Sequence, residues 1–157
     1  DDFSARPGYP NMFGLVQGEA NAIEPGKRML SAMTPTIVVN PEGELLLVVG
    51  SPGGATIITN VFQQVSNVVD FGMGVQQAVN APRLHHQHLP DRIQYEMGSL
   101  SPEVIAALEV LGHTVEERYR EGDVYPHIGD VQAVMRLPDG ILAGASDPRR
   151  GGAAVGY

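Results

Sequence analysis

Two adjacent glycines interrupt the sequence where an apolar run gives way to an amphipathic one. The turn "SPGG" at 51–54 follows "ELLLVVG" and precedes "ATIITNVFQQV". A helix that begins directly after a glycine-rich turn presents bare backbone N–H groups to an anion. Gly53 and Gly54 can therefore form an oxyanion hole, which needs only adjacent N–H groups that are held rigidly. A plain strand-to-helix turn explains the same residues, so the pattern alone leaves both interpretations open.

Two phosphate-binding loops that also use glycine do not fit this turn. A P-loop needs a lysine directly after its second glycine, and the one lysine of the chain is the distant Lys27. A dinucleotide fingerprint needs Gly-x-Gly-x-x-Gly at the start of a parallel βαβ unit, and the spacing here is different. The chemistry that remains for the turn is that of an oxyanion hole.

The segment "HHQH" places His85, His86 and His88 close together, which raises the question of a metal site. Structural and catalytic zinc sites use three or four ligands in tetrahedral array. Neither a cysteine nor a helical His-x-x-x-His pair supports such a site here. We therefore interpret these histidines as packing and hydrogen-bonding residues, and we predict no metal and no cofactor.

The remaining polar candidates are two carboxylates and one hydroxyl. Asp1 and Asp2 form a pair whose simplest interpretation is a solvated chain start. Ser31 stands near Lys27 and Arg28 before a predicted strand, but no Gly-x-Ser-x-Gly elbow surrounds it. A turn serine explains it as well as a nucleophile does. Residue types and spacing therefore identify no nucleophile together with its base.

The hydrophobic pattern predicts a layered α+β fold that positions these groups. Apolar runs at 34–40 and 44–50 around "PEG" predict a hairpin, and helical spacing follows over 58–69. Ser51 is predicted to cap this helix, with Pro52 in its first turn. The other predicted elements are a loop over 1–35, a short helix from 74 that stops before Pro82, a strand in 91–98, a helix in 101–112, and strands in 114–119, 130–137 and 141–146. Hairpins with helices grouped between them favour α+β over a doubly wound sheet.

The composition excludes several classes of function. The 157 residues predict a single domain, 1–157, that can bury a sizeable core. The formal net charge is −8, with 10 basic and 18 acidic residues, so no basic stripe is available for nucleic acid or an anionic membrane. No apolar run reaches the length of a membrane span, and cysteine is absent. We expect neither nucleic acid nor a membrane as a partner.

Five stretches in this order carry a resemblance to a known family. They are "DDFSARPG", "GEANAIEPGKRMLSAMTPTIVV", "GSPGGATIITNVFQQVSNVVDFGM", "AVNAPRLHHQHLPD" and "GASDPRRGGAAVGY". The chain strongly resembles the C-terminal part of the small subunit of γ-glutamyltranspeptidase, an N-terminal nucleophile hydrolase. The resemblance implies an αββα sandwich, partial here because the N-terminal strands of the small subunit are missing. It also implies γ-glutamyl transfer from glutathione to water or an amino acid, through a threonine freed by self-cleavage of a precursor.

The resemblance assigns roles to four residues. Asp2 would bind the α-amino group of the γ-glutamyl moiety, since a carboxylate is the natural partner of an ammonium. Ser31, the first serine of the family's Leu-Ser-Ser-Met motif, would bind the α-carboxylate, and Gly53 and Gly54 would form the oxyanion hole. The second serine of that motif is Ala32 here, which removes one hydroxyl worth about 1 kcal/mol. The presence of Asp2 argues against a complete switch to another acylase.

The resemblance also places the nucleophile outside this chain. The family's threonine precedes the "DDFSA" motif, and none of the threonines here stands at that position, so we expect a fragment without transpeptidase activity of its own. The implied partners are a γ-glutamyl compound and the large subunit of the same precursor, and the implied location is periplasmic or extracellular. Copies of the fragment are expected to associate through open sheet edges. The alternatives are a non-catalytic assembly or anion-binding module, and an acylase acting on other amides.

Overall fold

Two small sheets and three helices make up the computed structural model, which describes residues 2–118 and 127–156. The strands are β1 (Thr36–Val39), β2 (Leu45–Gly50), β3 (Leu84–His85), β4 (Ile93–Tyr95), β5 (Val115–Glu117), β6 (Gln132–Arg136) and β7 (Leu142–Ser146). The helices are α1 (Ile57–Val69), α2 (Val75–Asn80) and α3 (Pro102–Val110), with short 3-10 turns at Glu19–Asn21 and Gly54–Thr56. One sheet has the antiparallel order β1-β2-β6-β7, and the other has the order β3-β4-β5.

Most of the predicted elements are confirmed, because local patterns specify them. β1 and β2 form the predicted hairpin, and α3 begins after Ser101, whose Oγ accepts a hydrogen bond from the N–H of Val104 at 3.4 Å. The predicted loop is also confirmed over residues 2–35, apart from the short 3-10 turn in it. β3 was not predicted, because its two residues owe their strand conformation to pairing with β4. The strand predicted over 114–119 is β5, and position 119 lies outside the described residues.

The prediction that Ser51 caps the helix after the glycines is wrong. The helical segment begins at Gly54, its preceding residue is Gly53, and no side chain caps it. The Oγ of Ser51 instead donates to the carbonyl of Pro52 at 2.7 Å and accepts from Asn60 Nδ2 at 3.0 Å. The positive φ of Gly53 turns the chain between Ser51 and the helix, so the hydroxyl meets the buried side of α1 rather than its first N–H groups.

Helices α1 and α2 cover one face of the four-stranded sheet and form the main core with it. The buried apolar side chains are Leu47, Val49, Ala133 and Ala145 from the sheet, Val131 from the residue before β6, and Val61, Val68, Val75, Ala78 and Val79 from the helices. The opposite face carries a row of register partners, Ile37, Val48 and Val134, and Ile37 is 70% exposed. A sheet with helices on one face and an apolar second face is the arrangement expected of half of an αββα sandwich.

A buried ionic cluster joins the two sheets. It consists of Arg83 after α2, Glu96 after β4, and Asp147 and Arg149 after β7. Arg83 Nη2 lies 2.6 Å from Asp147 Oδ2, and Arg149 Nη2 lies 2.6 Å from Glu96 Oε2. Arg149 Nη1 also reaches Asp147 Oδ1 at 3.1 Å. The sequence patterns did not indicate this cluster, because its members come from separate parts of the chain.

The same cluster predicts loss of stability in acid. Burial opposes ionisation of Glu96, but hydrogen bonds from Arg149 and the N–H of Ile128 outweigh it, so the pKa of Glu96 is lowered. Burial likewise opposes ionisation of Asp147, and the N–H groups of Val131 and Arg149 outweigh it, so the pKa of Asp147 is lowered. A lowered carboxyl pKa gives stability above the unfolded pKa of about 4 that is lost as pH falls through the folded value.

We therefore expect the urea midpoint of unfolding to stay nearly constant above about pH 5 and to fall steeply below about pH 4. The variant Asp147→Asn should show a weaker pH dependence, because one of the two carboxylates is gone. The matched control Glu109→Gln, at an exposed position of α3, should follow the parent curve. A parent midpoint that stays flat down to about pH 3 would contradict this assignment.

Candidate active site

A cavity of about 560 Å³ brings together three of the four residues singled out in the sequence. Asp2, Ser31 and Gly54 all line it. Gly53 lines an adjoining cavity of about 210 Å³, which shares part of its wall with the first one, including Phe13 and His85. The loop before β1, the glycine turn and the segment after α2 therefore meet at one site.

The glycine turn has a backbone that other residues do not adopt easily. The φ angles of Gly53 and Gly54 are 146° and 57°. A Cβ at Gly53 would overlap Thr56 Oγ1, and a Cβ at Gly54 would lie 2.6 Å from the ring of Phe13. Within residues 2–118 and 127–156, neither glycine N–H donates to a backbone acceptor outside regular elements. Two adjacent rigid N–H groups without such acceptors match the requirement of an oxyanion hole.

One asparagine links the segments that carry Asp2 and Ser31. Asn21 Nδ2 donates to the carbonyl oxygen of Asp2 at 3.0 Å, and Asn21 Oδ1 accepts from the N–H of Leu30 at 3.0 Å. Gln17 Nε2 lies 3.4 Å from Asp2 Oδ1 and steadies the carboxylate. These contacts fix the spacing between the Asp2 carboxylate and the residue next to Leu30. Sequence reasoning missed Asn21, because no spacing rule connects it to either segment.

The serine and the alanine of the "LSAM" stretch lie on the wall of the same cavity. Ser31 is exposed, and its Oγ accepts a hydrogen bond from the N–H of Met33 at 3.3 Å, as in a turn. Ala32 follows on the same wall. The hydroxyl that Ala32 lacks would therefore have belonged to the surface that carries Asp2 and Ser31.

His85 and His86 form hydrogen bonds with other side chains of this chain. His85 is buried, its Nδ1 lies 2.8 Å from Thr59 Oγ1, and its Nε2 lies 2.9 Å from Gln87 Oε1. Burial lowers the pKa of His85, so the ring is neutral at pH 7. His86 Nε2 lies 3.1 Å from Asp91 Oδ1. The packing interpretation of these two residues is confirmed, and no group of three possible ligands in the described parts of the chain is placed to hold a metal ion.

Lys27 and Arg28, the two basic residues near Ser31 in the sequence, do not line this site. Lys27 pairs with Glu24 at 3.0 Å, on the exposed side of its turn. Lys27 is absent from the lining of both cavities, and so is Arg28. Asp1 lies outside the described residues, so its interpretation as part of a solvated chain start stays a prediction.

Comparison with known proteins places this fold in one class. The chain superposes with a TM-score of 0.80 and 45% identity on "Gamma-glutamyltranspeptidase from Pseudomonas nitroreducens complexed with L-DON", covering 100% of this chain and 77% of that one. The fold is thus that of the N-terminal nucleophile hydrolases, in part. The family model described as "Gamma-glutamyltranspeptidase" matches residues 1–157. The chain belongs to the γ-glutamyltranspeptidase family.

Curated relatives agree with this assignment. The chain is 52% identical over 149 residues to the "Glutathione hydrolase proenzyme" of Escherichia coli (strain K12), covering 95% of this chain and 24% of that protein. It is 46% identical over 157 residues to the protein of the same name from Pseudomonas aeruginosa, covering 99% of this chain and 27% of that protein. The chain therefore spans about a quarter of the length of these relatives. Among the described residues, no helix combines the length and apolar character needed to cross a bilayer.

Proposed function

We propose that this chain forms the oxyanion hole and part of the glutamyl-binding site of an enzyme that cleaves γ-glutamyl amides such as glutathione. The γ-glutamyl group passes to water or to an amino acid. The observation that carries the proposal is the shared cavity of about 560 Å³ lined by Asp2, Ser31 and Gly54, with Gly53 beside it. Similarity to glutathione hydrolase proenzymes supports the substrate class.

Each of these residues binds a different part of the γ-glutamyl group. The Asp2 carboxylate binds the α-ammonium, and the Ser31 hydroxyl donates to the α-carboxylate. The carbonyl oxygen of the scissile amide accepts from the N–H groups of Gly53 and Gly54. These donors stabilise the negative charge that develops on that oxygen when the nucleophile attacks, which lowers the barrier.

The nucleophile in this proposal is the hydroxyl of an N-terminal threonine from the part of the precursor before Asp1, with its own amine as the base. A large subunit from the same precursor completes the site, in a periplasmic or extracellular setting. The word "proenzyme" in the names of the curated relatives supports a precursor that is processed.

Release of p-nitroaniline from γ-glutamyl-p-nitroanilide tests the proposal. The complete processed protein that carries this chain should cleave the substrate, and the 157-residue chain alone should not. The variant Asp2→Asn should lose most of the activity, whereas Asp139→Asn, in the exposed turn between β6 and β7, should retain it. An inactive complete protein would overturn the proposed function, and turnover by the chain alone would place the nucleophile within it.

Restoring the missing hydroxyl should strengthen glutamyl binding. In the complete protein, Ala32→Ser is expected to lower KM for γ-glutamyl-p-nitroanilide by about fivefold, the equivalent of about 1 kcal/mol, with little change in kcat. The control Ala5→Ser changes an exposed residue that lines neither cavity and should leave KM unchanged. An unchanged or higher KM in Ala32→Ser would show that this wall does not contact the α-carboxylate.

Ala32 also favours a second candidate, an acylase for amides whose acyl group lacks the full glutamyl head. Such a substrate loses less from the missing hydroxyl, because it presents no α-carboxylate. Comparing kcat/KM for butyryl-p-nitroanilide, whose acyl group lacks both the α-carboxylate and the α-amino group, with that for γ-glutamyl-p-nitroanilide separates the two candidates. A preference for the butyryl compound would favour the acylase, whereas the Asp2 carboxylate predicts a preference for the γ-glutamyl compound.

A further inference from the structure

A buried polar group lies directly beneath the glycine turn. Asn60 of α1 has no exposed surface, and its Nδ2 donates to Ser51 Oγ at 3.0 Å and to Thr56 Oγ1 at 3.3 Å. Ser51 Oγ donates in turn to the carbonyl of Pro52 at 2.7 Å, and Thr56 Oγ1 donates to the carbonyl of Gly53 at 3.0 Å. One amide group therefore anchors both hydroxyls that bind the carbonyls of the turn.

Those two carbonyls belong to the same peptide units as the two candidate oxyanion donors. The carbonyl of Pro52 shares a planar peptide unit with the N–H of Gly53, and the carbonyl of Gly53 shares one with the N–H of Gly54. In a trans peptide the C=O and N–H bonds point in opposite directions. Fixing each carbonyl on the inner side of the turn therefore aims each N–H outward. The carbonyl of Gly53 also accepts from the backbone N–H of Thr56 at 3.1 Å. The peptide unit between Pro52 and Gly53 therefore depends most on its hydroxyl bond, because glycine would otherwise let that unit rotate.

The orientation of the Asn60 amide follows from the donors around it. The single hydroxyl hydrogen of Ser51 is directed at Pro52, and that of Thr56 is directed at Gly53. Both hydroxyl oxygens can then only accept from Asn60, so the NH₂ end of the amide must face them. The hydrogen bonds of Asn60 in the described part of the chain are therefore made by its NH₂ end, and its Oδ1 has no partner there.

Close packing holds this amide in place. A Cβ at Gly129 would overlap Asn60 Nδ2, so only a glycine at this position leaves room for the amide. The N–H of Asp130 also donates to Ser51 Oγ, at 3.4 Å. The segment 128–131 therefore closes over the group formed by Ser51, Thr56 and Asn60.

We propose that Asn60 is a positioning residue for the oxyanion hole. It fixes the hydroxyls of Ser51 and Thr56, and through them it directs the N–H groups of Gly53 and Gly54 toward the reacting carbonyl. Asn60 lines neither cavity, so it acts on the reaction without touching the substrate. The expected effect on kcat rests on the proposed function. The expected effect on the orientation of the glycine N–H groups rests on the hydrogen bonds alone.

The kinetic test uses the complete processed protein and γ-glutamyl-p-nitroanilide. Asn60→Leu keeps the side-chain size but removes the donor, and we expect kcat to fall about 10- to 100-fold with KM within about twofold of the parent. The matched control is Gln64→Leu, because Gln64 lies one turn later on the same helix, is 1% exposed, and has no partner for its amide among the described residues. This control should keep the parent kcat.

A double variant separates positioning from general packing. Thr56→Val removes one of the two linked hydroxyls and should lower kcat, whereas Asn60→Leu combined with Thr56→Val should be little worse than Asn60→Leu alone. Residues that act through one another show such non-additive effects. Equal losses of kcat in Asn60→Leu and Gln64→Leu, or a change confined to KM, would overturn the proposal.

A spectroscopic readout keeps the test independent of activity. In the complete protein labelled with ¹⁵N-glycine, Asn60→Leu should shift or broaden the amide signals of Gly53 and Gly54, and Gln64→Leu should leave them in place. If the parent protein cleaves no γ-glutamyl amide, the proposed function fails and these signals still decide the positioning role. Unchanged glycine signals in Asn60→Leu would overturn it.

Discussion

A Gly53→Ala substitution is expected to lower kcat by at least about 100-fold in the complete processed protein, the effect of losing one oxyanion donor. The φ of Gly53 is 146°, a value that residues with a Cβ rarely adopt. The added methyl would overlap Thr56 Oγ1 and lie 3.3 Å from the backbone of Gly129. The peptide unit must therefore rotate, which turns a donor away from the substrate.

The control for this prediction is Gly43→Ala in the turn between β1 and β2. Gly43 also has a positive φ, 82°, but a Cβ there would meet nothing within 4 Å. This variant should show only the cost of a left-handed alanine, about 1 kcal/mol of the free energy of unfolding, and the parent kcat. Parent-like kcat in Gly53→Ala, measured beside this control, would remove the glycine turn from the mechanism.

Removing the most buried cation should have the largest effect on stability. Arg83→Met is expected to lower the free energy of unfolding by about 3 kcal/mol, because breaking a buried pair is costly and leaves the Asp147 carboxylate with Arg149 as its one charged partner in the cluster. The Arg83 side chain is 1% exposed and Asp147 is fully buried beside it. Arg83 also donates to the carbonyls of Val79 and Ile128, both at 2.9 Å, and these acceptors would lose their partner.

Urea unfolding of the parent, Arg83→Met and Arg136→Met measures this difference. Arg136 forms a partly exposed pair with Glu44 at 3.0 Å, and such pairs contribute about 1 kcal/mol or less. The loss in Arg83→Met should therefore be several times larger than the loss in Arg136→Met. Equal losses would mean that the ionic cluster does not hold the two sheets together.

Local patterns predicted the elements around the site better than the contacts within it. The hairpin before the glycines and the helix after them follow from the spacing of apolar residues, which is a property of neighbouring positions in the sequence. The assignment of Ser51 as a cap failed because its hydroxyl is claimed by Asn60, which lies nine positions later, and by the carbonyl of Pro52. No periodicity connects such partners.

The arrangement of the site residues also depends on contacts between segments that are distant in the sequence. Asp2 and Ser31 meet one cavity because Asn21 binds the backbone of both segments, and no motif spacing contains that information. Arg83 and Asp147 are 64 positions apart and pair only once the sheets have formed. The resemblance to the family indicated which residues to consider, whereas their arrangement came from the structure.

The order of strands has a consequence for how the protein is made. The glycine turn follows β2 directly, but β2 pairs with β6, and all of α1, α2, α3 and the three-stranded sheet lie between them in the chain. Contacts between distant segments close large loops and form slowly. During synthesis the turn therefore emerges long before Gly129 and Asp130, which enclose it. The N–H donors of the glycine turn are therefore made well before the residues that hold them in place.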